Sequence, residues 1–268
     1  MKTTQIRGNS ISYVDLNNGI SEAILMVHGH PFDHTMWEYQ YDVLREFRIV
    51  NPDLFGYGKS EANFDKIYIE QQALDLSLLL DQLEIEKVHL MGLSMGGQII
   101  VEFARLFPHR TKSLVICAST PNAEDEVSYA KRLGNAQEIA EIGMKEHAKR
   151  TIHKYINTNI HPPTSQVYYH LEQMMSSTPS KGAIASHKGR AERRNNFNFL
   201  KQINVPTMVV TGDLDCFFNI NDVRKVADEI INAKIFVIEK SGHLPNMENP
   251  ESFNRNLENF YKKIKVSI

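Results

Sequence analysis

The chain has 268 residues and a formal net charge of −2 at pH 7. This length is sufficient for one α/β domain with a large buried core. The near-neutral charge argues against a protein that binds nucleic acid or an anionic membrane surface. A content of 42% hydrophobic and 23% charged residues is typical of a soluble globular protein.

The start of the chain and its cysteines indicate a compartment. No apolar core follows the first charged residue, so no signal peptide is expected, and no run of roughly 18 apolar residues predicts a membrane span. Cys117 and Cys216 are the only cysteines, too few for a disulfide scaffold and without metal-ligand spacing. Both are predicted to be buried thiols, and the protein is expected to be cytoplasmic.

In chain order, short apolar runs alternate with segments of helical spacing. A turn at residues 8–10 precedes the first strand. Strands that alternate with helices predict a mostly parallel sheet covered by helices on both faces. The predicted strands are residues 11–16, 23–27, 48–51, 88–91, 113–118, 207–211 and 234–238, and the predicted helices are residues 36–47, 68–83, 98–107, 221–231 and 250 to about 263.

Residues 121–198 interrupt this alternation, because they contain no buried strand run and only polar, helix-like sequence. An insertion of this length between two strands is predicted to form a helical cap over the carboxyl edge of the sheet, where ligands bind in open α/β sheets. We therefore expect a core of residues 1–120 and 199–268 and a cap of residues 121–198.

Ser94 lies between Gly92 and Gly96, directly after the strand predicted at residues 88–91 and before a helical segment. A serine between two glycines at a strand-to-helix junction is the pattern of a nucleophile elbow, in which a strained turn exposes the hydroxyl above the sheet. The glycines avoid Cβ atoms that would collide with neighbouring chain. The pattern predicts Ser94 as a catalytic nucleophile.

A base and an acid are predicted further along the chain. His243 follows the last predicted strand at a glycine turn, and its position fits the order serine, acid, histidine. Asp213 and Asp215 both follow the strand at residues 207–211. Because Asp213 comes directly after a glycine turn, it has the position of a turn-forming aspartate. Asp215 lies deeper in the loop and is the preferred acid.

The oxyanion hole requires two backbone N–H donors. The amide of Met95 is one candidate, at the start of the helix after the nucleophile. The second is expected in the loop after residues 23–27, where Pro31 has no N–H to offer. The His30 amide is therefore preferred, with Phe32 as the alternative.

Three histidines in this loop, His28, His30 and His34, raise the question of a metal site. Loop imidazoles without carboxylate or thiolate neighbours are more often structural than metal-binding. We expect neither a metal nor a cofactor.

Taken together, these motifs resemble those of the α/β-hydrolase fold superfamily, and within it the group of small esterases, perhydrolases, enol-lactonases and carbon–carbon hydrolases. The resemblance implies Ser94 as nucleophile, Asp215 as acid, His243 as base, and His30 and Met95 as oxyanion donors. It also implies that residues 53–60 form a structural turn beside the site. The matching motifs besides the elbow are His28-Gly29-x-Pro31 with Met36-Trp37, Asp53-x-x-Gly56-x-Gly58-x-Ser60, Gly212-x-x-Asp215 and Gly242-His243-x-Pro245.

Two features set the chain apart within this group. His30 occupies a position that is often a large aromatic residue in the esterases and perhydrolases, and its imidazole is expected either to bind a polar acyl group or to face solvent. The nucleophile is Ser94, which argues against the aspartate-dependent haloalkane dehalogenases and epoxide hydrolases of the same fold.

The predicted cap offers two sets of residues for substrate contacts. Each residue of the first set is individually more typical of helix packing or of an exposed face. The second set is basic, and such a run usually forms a solvated helix face. The first set is His153, Tyr155, His161, Tyr168, Tyr169, His170, Met174 and Met175, and the second is Lys188, Arg190, Arg193 and Arg194.

The sequence thus predicts a serine hydrolase that cleaves a small carboxylic ester or lactone through an acyl-enzyme on Ser94. One alternative is a carbon–carbon hydrolase of a vinylogous diketone, with a second carboxylate held by residues such as Arg190. Another is a ligand receptor with slow turnover on the same fold.

Overall fold

Eight strands form one sheet in the computed structural model, which describes residues 1–266. The spatial order is β1-β2-β4-β3-β5-β6-β7-β8, with β1 and β2 antiparallel to their neighbours and the other six strands parallel. The strands are β1 (Lys2–Ile6), β2 (Asn9–Leu16), β3 (Ala23–Val27), β4 (Arg48–Pro52), β5 (Val88–Leu93), β6 (Thr111–Cys117), β7 (Thr207–Gly212) and β8 (Ala233–Ile238).

Helices cover both faces of this sheet, because the parallel strands are apolar on both sides. Along β3, Leu25 and Val27 face one apolar cluster and Ile24 and Met26 face the other. The helices are α1 (Ile69–Gln82), α2 (Met95–Leu106), α3 (Glu126–Thr151), α4 (Gln166–Ser177), α5 (Ser180–Ala191), α6 (Ile220–Asp228), α7 (Pro245–Glu248) and α8 (Pro250–Val266). The first cluster contains residues of α1, α2 and α6, and the second contains residues of α8.

Three inserted helices, α3, α4 and α5, lie between β6 and β7, and residues 121–198 contain no strand, as predicted. The helix α3 packs against both α4 and α5 and changes direction at Gly143, whose φ is 77°. The helix α5 lies directly on the loop after β4. A Cβ on Gly182 would be 1.9 Å from the Gly56 carbonyl oxygen, and one on Gly189 would be 2.0 Å from that of Ile67.

The helix predicted at residues 36–47 is wrong. The structure has a 3₁₀ helix over His34–Gln40 followed by turns. Side-chain amides of Asn51, Asn246 and Asn254 donate to the carbonyl oxygens of residues 34, 36 and 39, at 2.9, 2.7 and 2.7 Å. These carbonyls are therefore satisfied from elsewhere in the fold rather than by the amides of a continuing α-helix.

Two further expectations are corrected. The turn at the N-terminus is formed by Arg7 and Gly8, both with positive φ, and connects β1, which was not predicted, to β2. Cys216 is exposed, with its sulfur 2.9 Å from the Lys154 carbonyl oxygen, whereas Cys117 is buried as expected. Cys216 lies in the loop after β7 and not in a strand, so no sheet packing covers it.

Over residues 1–266, none of the helices combines the length and the apolar character that crossing a bilayer demands.

Candidate active site

Ser94 is at the junction of β5 and α2 and has a φ of 55° and a ψ of −113°. A non-glycine residue in this region of φ is strained, and the surrounding contacts must hold it there. Its N–H donates to the Cys117 carbonyl oxygen at 2.8 Å, and its own carbonyl oxygen accepts from the Ser119 hydroxyl at 2.7 Å. The last residue of β6 and the segment directly after it thus fix both sides of the turn.

The two glycines of this turn are required by close backbone packing. A Cβ on Gly96 would lie 2.1 Å from the Val27 carbonyl oxygen, and a Cβ on Gly92 would lie 2.4 Å from that of Gly96. The Val27 carbonyl belongs to β3 and the Gly96 carbonyl to the first turn of α2, so neither backbone can retreat without disturbing an element of the core, and only glycine fits. The local geometry is that of a nucleophile elbow.

His243 lies in the loop between β8 and α7, and its Nδ1 atom is 2.9 Å from Asp215 Oδ2. Both side chains are buried, with exposed fractions of 2% for His243 and 0% for Asp215. The other carboxylate oxygen of Asp215 accepts the N–H of Phe217 at 2.8 Å. The carboxylate is therefore held on one side by its own loop and presents the other side to the imidazole.

Asp213 has a different role. Asp213 is exposed, and its Oδ1 atom accepts the N–H of Ser241 at 3.0 Å. This contact joins the loop after β7 to the loop after β8. Of the two candidate acids, the structure brings Asp215 to His243 and uses Asp213 to tie the loops together.

Glu248, on α7, supports the histidine loop and was not singled out from the sequence. Its Oε1 atom accepts the N–H of Leu244 at 3.0 Å, and its Oε2 atom accepts the N–H of Asn157 at 2.9 Å. Burial raises the pKa of this carboxyl, and the backbone N–H groups partly oppose the rise. The side chain connects the residue after His243 to the segment between α3 and α4.

The candidate oxyanion donors are the amides of Met95, which follows Ser94 in the chain, and of His30, which lines the same cavity as Ser94. Met95 is the first residue of α2, so its N–H has no partner within the helix. In the part of the chain that the structure describes, no backbone carbonyl accepts the N–H of His30, whereas the N–H of Phe32 donates to Gly29 at 3.1 Å. The contacts therefore favour His30 over Phe32.

The three loop histidines do not converge on one point. His28 Nδ1 lies 2.8 Å from the Gly29 carbonyl oxygen, and its Nε2 accepts the N–H of Leu54 at 2.9 Å. His34 Nδ1 lies 2.7 Å from Asp53 Oδ1, which also accepts the N–H of His34. The His28 imidazole thus contacts backbone on both sides, while the His34 imidazole contacts the Asp53 carboxylate, which also accepts the N–H of Lys59 in the turn of residues 53–60.

A cavity of about 220 Å³ lies over Ser94 and is lined by residues of the sheet loops and of the inserted helices. One wall is aromatic: Phe217 and Tyr155 have ring centroids 4.6 and 6.0 Å from that of His243, and Phe218 is also at 6.0 Å. Of the eight cap residues named as candidates for substrate contacts, only Tyr155 is in the lining, as expected for residues individually more typical of packing or of an exposed face.

His30 is another residue of the cavity lining. Its Nδ1 atom is 2.8 Å from the Tyr57 hydroxyl, and its ring centroid is 4.4 Å from that of His187 on α5. Burial, together with the neighbouring charge of Arg190, places the pKa of both imidazoles well below the ordinary value. Both rings are therefore neutral at physiological pH. His30 faces protein and not solvent.

The wall continues with three arginines that line the cavity, Arg132, Arg190 and Arg193. Glu124 contacts both Arg132 and Arg193. Burial lowers the pKa of Arg190 to about 9 and of Arg132 to about 10, values at which both remain protonated at pH 7.

The prediction that the basic run forms a solvated helix face is thus wrong for two of its four residues. Arg190 and Arg193 are buried, while Lys188 and Arg194 are exposed. The lining residues His187 and Arg132 were not predicted. Helical spacing assigns each of these residues to one face of α5 or α3. Which face lines the cavity depends on how the two helices pack, and the sequence does not show that packing.

Comparison with known proteins gives one family. Residues 22–250 match the family described as α/β hydrolase fold. A solved structure of a thermophilic esterase from Thermogutta terrifontis, with malate bound, is 30% identical, covers 98% of this chain and 97% of its own, and superposes with a TM-score of 0.91. The 3-oxoadipate enol-lactonase 1 of Acinetobacter baylyi is 27% identical over 90% of this chain and 89% of its own length. The 2-hydroxy-6-oxononadienedioate/2-hydroxy-6-oxononatrienedioate hydrolase of Paraburkholderia xenovorans is 25% identical over 93% and 90%.

Proposed function

The chain belongs to the family with the α/β hydrolase fold, and on that basis we propose that it is a serine hydrolase that cleaves a small carboxylic ester or lactone. One observation carries the proposal: Ser94 and His243 line the same cavity, while Asp215 contacts the Nδ1 atom of His243. A nucleophile, a base and an acid in this arrangement are what acyl transfer requires.

In the proposed reaction, His243 takes the proton of the Ser94 hydroxyl as its oxygen attacks the substrate carbonyl. The ionised Asp215 holds the imidazole in position and stabilises its positive charge. The leaving alcohol takes the proton from His243, and water activated by the same imidazole then hydrolyses the acyl-enzyme. With a lactone, the alcohol remains part of the acyl group, so the product is a hydroxy acid.

We assign the oxyanion hole to the amides of Met95, which follows Ser94 in the chain, and of His30, which lines the same cavity, whereas the Phe32 amide donates to Gly29. Removal of one such donor typically costs on the order of 10²–10³ in kcat. We further propose that the inserted helices act as a cap, with residues 121–198 as the cap and residues 1–120 and 199–268 as the core of a cytoplasmic enzyme.

A second candidate function is hydrolysis of a carbon–carbon bond in a vinylogous diketone, by the same three residues. It is supported by Arg190, a buried cation in the cavity wall that is suited to a second acidic group of such a substrate. A ring-fission dienone turned over faster than simple esters would favour this candidate.

The proposed function is tested with p-nitrophenyl acetate and butyrate, with Ser94→Ala as the matched control. We expect multiple turnovers in the wild type, none above background in the variant, and labelling of Ser94 by a fluorophosphonate. An absence of both turnover and labelling would overturn the proposal. A single burst with a stable adduct would instead indicate a receptor with slow turnover.

A further inference from the structure

We propose that the substrate of this site carries a free carboxylate, which the Arg190 guanidinium and the His187 imidazole bind in the wall of the cavity over Ser94. This inference rests on the proposed hydrolase function and specifies its substrate class.

The first observation is that Arg190 is buried without a partner for its charge. Only 5% of the residue is exposed, and its Nε atom has no hydrogen-bond partner. Within residues 1–266, no carboxylate lies within ion-pair distance of its guanidinium, whereas Arg132, another cation, lines the same cavity. A buried guanidinium without a counter-ion destabilises the folded protein, so its presence in a cavity wall indicates an anionic ligand.

The other buried arginines show how this chain satisfies a structural guanidinium. Arg110 is 8% exposed and donates to the carbonyls of Ile85 and Glu86, to Ser77 and to the Asp81 carboxylate. Arg193 is paired with Glu124 and donates to the Asn122 carbonyl. Arg190 has no comparable set of hydrogen-bond and ion-pair partners, although it is buried to a similar extent.

The second and independent observation is that the imidazole of His187 is buried without a hydrogen-bond partner. The residue is 3% exposed, and neither of its ring nitrogens has a hydrogen-bond partner. A neutral imidazole retains one N–H donor, which must be satisfied by a ligand or by water. His187 and Arg190 are three residues apart on α5 and therefore lie on the same face of the helix. Both donors line the cavity over Ser94.

The chemistry of these donors favours a carboxylate. A planar guanidinium binds two carboxylate oxygens at once, and an adjacent N–H completes the site. The aromatic wall of Tyr155, Phe217 and Phe218 offers the apolar surface for the rest of a small substrate. Glu124 in the same lining partly compensates the positive wall, which suits a singly charged group better than a dianionic phosphate.

The helix α5 holds these donors in a defined position. Gly182 and Gly189 allow its backbone to contact the loop after β4, and the N–H of Ile67 donates to the Ala185 carbonyl oxygen at 3.0 Å. His187 also contacts His30, whose backbone amide is assigned to the oxyanion hole. The carboxylate is thus expected at a fixed distance from the reacting carbonyl, which is a condition for discrimination between substrates.

The test compares each acid with its methyl ester. In the acyl arm, mono-p-nitrophenyl adipate is compared with methyl p-nitrophenyl adipate. In the leaving-group arm, 3-carboxyphenyl butyrate is compared with 3-(methoxycarbonyl)phenyl butyrate. We expect wild-type kcat/KM to be at least about 10-fold higher for the acid in one arm, because only the acid satisfies the buried cation. The arm that shows the preference identifies the side of the ester on which the carboxylate lies.

Two variants locate the preference. Arg190→Gln is expected to bring the acid-to-ester ratio of kcat/KM close to 1. Arg194→Gln, an exposed position in the same basic run, is expected to keep the wild-type ratio. If Arg190→Gln does not fold, Arg190→Lys replaces it, and the loss of the planar fork should still lower the ratio.

The outcomes separate the two proposals. Turnover of the methyl esters with no preference for the acid in either arm overturns the carboxylate site and leaves the hydrolase function standing. If no ester is turned over, the hydrolase function fails, and the site is tested by calorimetry with glutarate, glutaramide and inorganic phosphate. Binding of glutarate alone, lost in Arg190→Gln, supports the site. No glutarate binding, or equal binding of phosphate, overturns it.

Discussion

The imidazole of His30 packs edge-on against the imidazole of His187, with 4.4 Å between the ring centroids and an interplanar angle of 73°. One ring belongs to the loop after β3 and the other to the inserted helix α5. Because the pKa of each is well below its ordinary value, the contact joins two neutral rings without charge repulsion. The inserted helices therefore rest directly on the loop that offers the His30 amide.

Asp215→Asn should leave the fold intact and lower kcat by up to about 10⁴, because an amide at Nδ1 favours the wrong tautomer of His243. Asp213→Asn is the matched control, since asparagine can still accept the N–H of Ser241. Steady-state kinetics with one ester, with circular dichroism to confirm folding, decides between them. If Asp213→Asn abolishes turnover while Asp215→Asn retains it, the acid is Asp213.

Glu248→Gln should lower kcat by about 10-fold with a smaller effect on KM. The glutamine retains only one acceptor for the two N–H groups that the carboxylate holds, so the loop of His243 is free to shift. Glu239→Gln is the control, because that residue is exposed. A change in stability without any change in kcat would show that Glu248 does not position the catalytic loop.

Gly96→Ala should destabilise the protein by about 3 kcal/mol or more, because its Cβ would lie 2.1 Å from the Val27 carbonyl oxygen. Gly134→Ala, in α3 with no atom within 4 Å of the added Cβ, should instead stabilise the protein by about 0.5–1 kcal/mol. Urea denaturation measures both. Similar effects for the two variants would contradict the packing described at the elbow.

The stability contributed by His34 should depend on pH. Burial acts to lower the pKa of His34, but the hydrogen bond and charge of Asp53 outweigh it and raise the pKa above 6.5. Burial likewise acts to raise the pKa of Asp53, but the contacts with His34 lower it below 3.8. A raised histidine pKa stabilises the fold below pH 6.5 and loses that contribution as the pH rises through the folded-state value. A lowered aspartate pKa stabilises above pH 3.8 and loses it as the pH falls.

The ion pair therefore stabilises most between about pH 4 and 6.5. His34→Gln should cost more stability at pH 5.5 than at pH 8.5, by on the order of 1 kcal/mol. Denaturant titrations at the two pH values measure the difference, with the exposed His153→Gln as control. Equal losses at both pH values would show that the pair carries no charge-dependent stability.

Arg190→Met should raise the free energy of unfolding by about 1–3 kcal/mol at pH 7 without ligand, because it removes a buried charge that has no counter-ion. Arg110→Met should have the opposite effect, since it leaves buried carbonyls without their donors. Thermal unfolding of both variants checks this. Destabilisation by Arg190→Met equal to that by Arg110→Met would indicate a structural role for Arg190.

Much of the fold could be predicted from periodicity alone. Six of the seven predicted strands overlap β3 to β8, and the seventh overlaps β2, because buried parallel strands are continuous apolar runs. The helices α1, α2, α6 and α8 follow the apolar spacing within a few residues. The helix predicted at residues 36–47 failed because distant asparagine side chains take its carbonyl oxygens, and no local pattern shows that.

The sequence by itself was enough to identify residues whose type is required by the local geometry of the chain. Gly92 and Gly96 are needed wherever a serine turn packs this closely. Ser94, Asp215 and His243 each follow a different parallel strand, and the carboxyl ends of such strands meet at one edge of the sheet. The tertiary structure alone decided which cations are buried, because burial depends on what packs against a helix and not on its composition. Arg190 and Arg194 belong to one basic run, yet Arg190, on α5, lines the cavity together with His187, whereas Arg194, which follows the end of α5, is exposed.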